Sequence, residues 1–196
     1  PGANRGYRHA CSDRENQRGG LDLATQAFKN RGHHLRLDRE KDDLRSLALA
    51  EAGQLTLERI PTNLGTLVER MLERFSAQAA AAGVSLSLDA PAHLPIAEID
   101  PGRVEQIISN LLSNALRFTP AGGQIRLGLR QGSGVLQLTV RDSGAGIPVD
   151  ALPHVFERFY RADRSRSRAK GGSGLGLAIA RQFAEAHGGT LTAANH

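Results

Sequence analysis

The stretch Asp100–Thr119, DPGRVEQIISNLLSNALRFT, predicts the helix around which the rest of the chain is organised. Asp100 is a favourable N-cap residue, and Pro101 at the first helical position gives up only a backbone amide that would be unpaired in any case. Behind Pro101 the apolar residues recur at intervals of three and four and form one stripe: Val104, Ile107, Ile108, Leu111, Leu112, Ala115 and Leu116. The sequence therefore predicts an amphipathic helix with one buried face.

The same helix carries a second, polar face. Asn110, Asn114 and Arg117 follow one another at spacings of four and three, so their side chains share one side of the helix. Asparagine is a poor helix former, and stability alone would favour Leu or Glu at these positions. Neutral amide oxygens beside one fixed positive charge suit a magnesium-bound polyphosphate. An ordinary solvated helix face is equally compatible with this stretch by itself, so the rest of the chain has to decide.

Composition narrows the class of protein. The 196 residues suffice for one domain with an appendage or for two small domains. A single cysteine, Cys11, cannot form an internal disulfide, which predicts a cytoplasmic protein. No apolar run approaches the ~20 residues that span a bilayer, so no membrane contact is expected of this chain, although a parent protein can still be anchored in the cell membrane. The net charge is +5, but the arginine clusters lack interleaved aromatic residues, so no nucleic-acid partner is expected.

The first part of the chain changes character near residue 37. Residues 1–37 show little apolar periodicity and are expected to be a poorly ordered or non-native arm. The patterns that follow predict two helices and two strands: Leu37 to about Leu57, Asn63 to about Ala82, Val84–Leu88 and Ile96–Ile99. The two strands are expected to pair with each other.

After the asparagine helix the sequence predicts a β-hairpin and a final helix. Two alternating stretches, Gln124–Arg130 and Val135–Arg141, are separated by a short glycine-containing turn. A glycine turn then feeds a helix within residues 172–189, and a last strand is expected from Thr190. This order predicts an α/β fold, a two-layer α/β sandwich in which helices cover one face of a mixed sheet.

A glycine-rich turn, DSGAGIP at Asp142–Pro148, directly follows the second hairpin strand. The Asp142 carboxylate can accept a hydrogen bond from an exocyclic amine, while Gly144 and Gly146 let the backbone approach a flat ring. Asp-Ser-Gly is also a common structural turn, and that reading is the more frequent one for this motif alone.

Two further segments have both a functional and a plain structural interpretation. Gly172, Gly174 and Gly176 precede a helix, and glycine turns at helix N-termini bind phosphate through unpaired amides, although a helix-entry turn is equally compatible. The aromatic residues of VFERFY, Val155–Tyr160, lie beside arginines and suit a lid over a nucleotide. Taken alone, this second segment is more simply a small satellite core.

Together these segments resemble the catalytic ATP-binding domain of sensor histidine kinases, a relative of the gyrase, chaperone and mismatch-repair ATPases. Each matches one of that family's boxes, in the family's order and spacing: NLLSNALRFT the N box, DSGAGIP the first glycine box, VFERFY the F box and GGSGLGLAIA (171–180) the second glycine box. The resemblance covers about two-thirds of the chain, from about Pro61 to the end. It implies transfer of the ATP γ-phosphate to a histidine for relay to a response regulator.

The resemblance also implies a role for each matching position. Asn114 would ligate Mg²⁺, with Asn110 and Arg117 near the phosphates, and these three are the implied catalytic residues. Asp142 would accept a hydrogen bond from the adenine amine. The other implied ATP-binding residues are Phe118, Gly144, Gly146, Ile147, Tyr160, Arg161, Gly172, Ser173, Gly174, Leu175, Gly176 and Leu177.

Asn110 separates kinases from hydrolases within this resemblance. The gyrase-type relatives carry a glutamate at the corresponding position, where it acts as general base on water. An amide takes no proton at neutral pH, so water is not activated and ATP survives until an imidazole is presented. The sequence therefore favours a kinase over a hydrolase.

The match fails at both ends. Residues 38–60 resemble only the second helix of the family's dimerisation and phosphoacceptor hairpin, and 61–196 the catalytic domain with its C-terminal strand expected to be truncated. His33 and His34 lack the Thr-Pro that should follow, and they lie too close to the second helix. No phosphoacceptor residue is therefore assigned.

Two other functions remain open at this point. One is a nucleotide-binding regulatory module that transfers no phosphate, and the other is an anti-sigma-type serine kinase. For the kinase reading, the implied partners are a response regulator and a phosphoacceptor hairpin of the same or a sister subunit. The full-length protein is then expected to be a homodimer.

Overall fold

The computed structural model describes residues 44–45, 47–49, 52, 54–132, 134–162 and 173–195. The predictions for the arm of residues 1–37, for His33 and His34 and for Gly172 fall outside these ranges. The elements whose two bounds both lie within these ranges are five strands, three helices and one 3-10 turn, in the order β1 (Ile60–Asn63), α1 (Leu64–Ala81), β2 (Ser85–Asp89), β3 (Ile96–Ile99), α2 (Pro101–Phe118), β4 (Gln124–Gly132), β5 (Val135–Asp142), the 3-10 turn (Leu152–His154) and α3 (Gly176–Ala186).

The helix predicted from Leu37 to about Leu57 ends earlier than expected. Residues 44–45 and 47–49 are helical, but residues 54–59 have no regular structure. The Gln54 amide donates to the Leu49 carbonyl at 2.8 Å, a longer-range hydrogen bond than the i to i−4 bonds of an α-helix. Leu55 continued the apolar pattern in the sequence, but it packs against the apolar cluster of Leu47, Ile107 and Phe183 from an irregular segment.

The strands form two separate sheets. A mixed sheet has the order β2-β4-β5, with β2 and β4 parallel and β4 and β5 antiparallel. The predicted pairing of Ile96–Ile99 with Val84–Leu88 is wrong, because β3 pairs antiparallel with β1, where Ile60 faces Ile99. The sequence pattern missed β1 because Pro61 and Asn63 are poor strand residues, which an edge strand of a two-stranded sheet tolerates.

The last strand, expected from Thr190, is also wrong. Residues 190–195 have no strand assignment, and no described strand pairs with them. A strand needs a hydrogen-bonded neighbour, and an alternating sequence supplies the extended preference but not the neighbour. The segment is instead attached through its side chains, Leu191 to an apolar cluster and Asn195 to a loop.

Helices α1 and α2 cover one face of the mixed sheet. Along β4, Ile125, Leu127 and Leu129 are fully buried on this face, while Arg126 and Arg130 point to solvent. Among the helix residues packed here are Val68, Met71, Ile108 and Leu112. This arrangement confirms the predicted α/β fold with a mixed sheet covered on one face, and the apolar stripe of α2 is buried or half-buried as expected.

A second apolar cluster holds α3 against the other side of α2. It contains Ile107 of α2, Leu47 from the segment before β1, and four residues at the start or along the length of α3: Leu175, Ile179, Ala180 and Phe183. Helix α2 therefore buries apolar residues on two sides, which leaves only a narrow polar strip for Asn110, Asn114 and Arg117. Within the described part of the chain, no helix is both long and apolar enough to traverse a bilayer.

His187 ties the end of α3 to the beginning of α2. Its Nδ1 donates to the Phe183 carbonyl at 2.7 Å, and its Nε2 accepts from the Asp100 amide at 3.0 Å. The Asp100 carboxylate in turn caps α2 by accepting from the Arg103 amide and also accepts from the Glu58 amide. The imidazole is half-buried, and both of its ring nitrogens take part in these hydrogen bonds.

Replacing His187 should loosen this connection. His187→Ala removes two hydrogen bonds and is expected to lower the free energy of unfolding by about 1–3 kcal/mol, as measured by urea denaturation. His93→Ala is the matched control, because His93 is exposed and makes no hydrogen bond within the described residues. Equal unfolding midpoints for the two variants would contradict the assignment.

Candidate functional site

The polar strip of α2 faces the first residue of α3. Asn110 is half-buried, and a Cβ atom added at Gly176 would lie 3.5 Å from its Cγ. The Nδ2 of Asn110 is buried and has no hydrogen-bond partner among the described residues. An unpaired buried donor is costly, so each one in a native protein requires an explanation, such as a bound water, an ion or a functional role. Asn110 is therefore a candidate binding position between the two helices.

The C-terminal end of α2 meets the loop that follows β5. A Cβ atom added at Gly144 would lie 2.8 Å from the Phe118 carbonyl oxygen and 2.7 Å from Asp142 Oδ1. No real Cβ tolerates such distances, so only glycine lets this loop approach the helix. The N box and the first glycine box are therefore in direct contact.

Asp142 lies on the face of the sheet that the helices cover, at the end of β5. It pairs with Ile125, whose side chain is fully buried on the helix-covered face, and directly opposed residues share a face. The Oδ1 atom of Asp142 accepts from the Gly144 amide at 2.8 Å, which closes a turn. The Oδ2 atom makes no hydrogen bond within the described part of the chain, and Asp142 is exposed. This oxygen is available to an external donor.

The F box and the second glycine box also touch. The Phe159 amide donates to the Gly174 carbonyl at 3.0 Å, and a Cβ atom added at Gly174 would lie 2.8 Å from Phe159 Cα and 3.1 Å from the Tyr160 carbonyl oxygen. Both residues have left-handed backbone, with φ of 59° at Phe159 and 75° at Gly174. The left-handed region costs a non-glycine residue about 1–2 kcal/mol, so this contact holds Phe159 in a strained conformation.

The N-terminus of α3 opens towards the polar strip of α2 without a side-chain cap. Leu175 occupies the N-cap position and makes no capping hydrogen bond. The Ser173 hydroxyl accepts from the Leu175 amide at 3.4 Å. Among the described residues, no side chain accepts from the amides of Gly176 and Leu177. Uncapped amides at a helix N-terminus favour an anion.

The structure brings seven of the predicted site residues into three contacts: Asn110 with Gly176, Phe118 and Asp142 with Gly144, and Tyr160 with Gly174. The first two contacts border the space between α2, the loop after β5 and the start of α3, which is called the cleft below. Asn114 and Arg117 lie on α2, half-buried, and the Arg117 guanidinium stacks 5.3 Å from the Phe118 ring centroid. Arg161 is half-buried, and Gly172 lies outside the described residues. Sequence reasoning missed Asn195, which hydrogen-bonds Ile147 in the same loop as Gly144.

Other features do not add to the site. A cavity of about 230 Å³ is lined by Leu47, Phe156, Arg158, Ala178, Arg181, Gln182 and Glu185, none of which is a predicted site residue. The described residues contain no group of three or more His, Cys, Asp and Glu side chains that could hold a metal ion. A metal ion in the cleft would therefore be coordinated by amide oxygens of the protein and by oxygens of a bound molecule.

Comparison with known proteins identifies the family of the chain. Residues 99–196 match the family of histidine kinase-, DNA gyrase B- and HSP90-like ATPases. The chain belongs to this family. Within it, the chain is an ATP-binding catalytic domain of the sensor histidine kinase type, because its curated relatives are two-component kinases. The resemblance inferred from the four boxes is confirmed.

One relative and two solved structures illustrate the similarity. The signal transduction histidine-protein kinase BaeS of Escherichia coli (strain K12) is 39% identical over 154 residues, which are 79% of this chain and 33% of BaeS. Full-length ShkA in complex with AMPPNP has a TM-score of 0.72 and 29% identity, covering 85% of this chain and 34% of that one. ThkA in complex with the response regulator protein TrrA, at 21% identity, a TM-score of 0.61 and coverage of 79% and 42%, shares the fold. The chain thus spans about a third of the length of BaeS.

Gly144 should be the most sensitive glycine of the loop after β5. Gly144→Ala places a methyl group against Asp142 and Phe118 and is expected to cost about 1–3 kcal/mol of unfolding free energy. Amide exchange in residues 142–148 should accelerate at the same time. Gly132→Ala serves as control, because no atom lies within 4 Å of the added Cβ. Equal stability of both variants would show that the loop can retreat from α2.

Proposed function

We propose that the cleft between α2, the loop after β5 and the start of α3 binds MgATP, and that the γ-phosphate is transferred to a histidine on a helical hairpin of the same or a sister subunit. The observation that carries this proposal is the buried, unpartnered Nδ2 of Asn110 beside Gly176. It lies where an uncapped helix N-terminus and a strip of two asparagines and an arginine converge. A polyphosphate supplies the oxygen acceptors that this arrangement lacks.

Asp142 is proposed to recognise the adenine ring. Its Oδ1 is engaged by the Gly144 amide, while Oδ2 is available to accept a hydrogen bond from the exocyclic amine. Guanine carries a carbonyl oxygen at the corresponding ring position, and two acceptors would then face each other. Gly144 and Gly146 keep the loop thin enough for a flat ring, and Ile147 adds a half-buried apolar surface.

The residues on α2 suit a magnesium ion carried by the nucleotide. Mg²⁺ prefers oxygen ligands and usually takes one or two from the protein, with phosphates and water completing the octahedron. Among the described residues this cleft offers two neutral amides and no metal-binding cluster of carboxylates, which fits that preference. Asn114 would hold the ion, with Asn110 and Arg117 beside the phosphates. When bound, the ion neutralises phosphate charge.

The chemistry assigned to this chain is positioning. The lone pair of an acceptor histidine nitrogen forms the new N–P bond, while the bond from the γ-phosphorus to the β,γ-bridging oxygen breaks and ADP leaves. An in-line reaction of this kind depends mainly on alignment and charge neutralisation. Asn110 offers an amide where a water-activating base would otherwise stand, so the bound ATP is preserved for the histidine.

Partners and location belong to the same proposal. ThkA forms a complex with the response regulator protein TrrA, which supports a response regulator as the receiver of phosphate from the whole protein. We also propose that the whole protein is a homodimer with this domain in the cytoplasm, and that residues 38–60 belong to its dimerisation hairpin. The single cysteine supports the reducing compartment.

Asp142 provides the direct test of nucleotide recognition. Asp142→Asn keeps an oxygen for the Gly144 amide but replaces the free oxygen by a donor group, so ATP affinity should fall about tenfold while GTP binding changes little. Isothermal titration of the folded chain with both nucleotides and Mg²⁺ measures this. Asp150→Asn is the control, because Asp150 is exposed and makes no hydrogen bond in the described ranges. Wild-type behaviour of Asp142→Asn would refute the adenine assignment.

A second candidate is a nucleotide-binding module that switches a partner without transferring phosphate, because it would use the same nucleotide-binding residues. Incubation with [γ-³²P]ATP separates the two functions. Alone, the chain is expected to label itself weakly; a separate hairpin with an accessible histidine should acquire acid-labile, base-stable phosphate. A hairpin with that histidine replaced by alanine is the control, and Asn114→Asp should lower the transfer. ATP binding without any transfer would favour the regulatory module.

A further inference from the structure

The main chain of Ile147 is held at both of its polar groups by one distant side chain. Asn195 Oδ1 accepts from the Ile147 amide at 2.8 Å, and Asn195 Nδ2 donates to the Ile147 carbonyl at 2.7 Å. We infer that Asn195 is a positioning residue for the adenine side of the ATP site. This inference rests on the proposed function, because it assigns a supporting role to a residue that lies outside all four boxes.

The remaining anchors of the loop lie at its two ends. At the front, the Ser143 amide donates to the Gln124 carbonyl at 3.0 Å, and the Ser143 hydroxyl accepts from the Gln124 amide at 2.9 Å. At the rear, the Ala151 amide donates to the Pro148 carbonyl at 2.9 Å. Between these ends, the main chain of residues 145–147 makes two hydrogen bonds within the described part of the chain, both with Asn195. The loop segment nearest the proposed adenine ring is therefore held in place by the side-chain amide of Asn195.

Asn195 also restricts the backbone shape of the loop. Gly146 has a φ of 76°, and a Cβ atom added there would lie 3.0 Å from Asn195 Oδ1. The amide thus lies closely over the glycine and fits only a loop without a side chain at this point. An alternative loop conformation would have to give up both hydrogen bonds to Ile147. The pair of contacts selects one conformation of the adenine loop from several that a glycine permits.

The attachment of Asn195 links the two ends of the nucleotide site. Asn195 follows α3 by nine residues, and Leu191 in between packs against the apolar cluster that contains Phe183. The N-terminus of α3 is the proposed phosphate end of the site, whereas Asn195 reaches the adenine end. One continuous segment of chain, fixed in the core at Phe183 and Leu191, therefore sets both ends.

A positioning role and a purely structural role predict different results. Asn195 is exposed and belongs to neither of the two apolar clusters, so its loss removes no core packing. If it positions the loop, Asn195→Ala should weaken nucleotide binding and blur the discrimination between adenine and guanine, with little change in the thermal midpoint. If it only contributes stability, the midpoint should fall and the ratio of the two affinities should stay constant.

Isothermal titration of the complete 196-residue chain with ADP and GDP, combined with amide exchange at Gly146 and Ile147, tests the inference. Asn195→Ala should bind ADP about tenfold more weakly, with a lower ADP-to-GDP preference and faster exchange at Ile147. Asn195→Asp should be intermediate, because it keeps the acceptor for the Ile147 amide but places a second oxygen against the Ile147 carbonyl. Thr192→Ala is the matched control on the same exposed segment, without a recorded hydrogen bond among the described residues.

The outcomes separate this inference from the proposed function. Wild-type affinity and preference in Asn195→Ala would overturn the inference and leave the proposed function intact. A lowered thermal midpoint with an unchanged ADP-to-GDP preference would overturn it as well, because the effect would then be structural. If the folded wild-type chain bound no adenine nucleotide, the proposed function would fail and the inference with it.

Discussion

The structure depends on a single helix that is buried from two sides. The first apolar cluster takes Ile108 and Leu112 of α2 against the sheet, and the second takes Ile107 against α3. Because both sides are committed to packing, the rotation of α2 about its axis is fixed, and so is the direction of its polar strip. Asn110 and Asn114 are therefore aimed by hydrophobic packing, which is the least directional but the largest stabilising contribution in the molecule.

Glycines bring the other elements of the cleft to that strip. At Gly144 and Gly174 neighbouring atoms occupy the space that a Cβ atom would need, and at Gly176 an added Cβ would be in ordinary contact with Asn110. These contacts join the end of α2 to the loop after β5, the F box to the start of α3, and the start of α3 back to Asn110. The cleft is thus defined by missing side chains as much as by the polar groups present, and this accounts for the concentration of glycine in two of the four boxes.

Several residues in or beside the cleft adopt arrangements that lower the stability of the chain. Three features of the described residues are each unfavourable: a buried amide donor without a partner there, a helix N-terminus without a side-chain cap there, and a phenylalanine in left-handed backbone. All three lie in or beside one cleft, whereas the sheet and the two apolar clusters show ordinary burial. Local costs concentrated at one place are expected of a site whose polar groups are completed by a ligand, and a magnesium-bound nucleotide has the matching chemistry.

The sequence by itself determined the elements whose signal is local. The period of α2, its cap at Asp100 and the alternation of the hairpin all come from neighbouring residues, and the four boxes identified the family because their spacing along the chain is itself the signal. Apart from the hairpin, tertiary structure alone decided which strands pair, so that β3 joins β1 and residues 190–195 form no strand. It also decided that Asn195 reaches Ile147, 48 residues away. Strand partners and single side-chain contacts of this kind depend on the folded path of the chain, and a periodic pattern contains no information about which distant segment comes close.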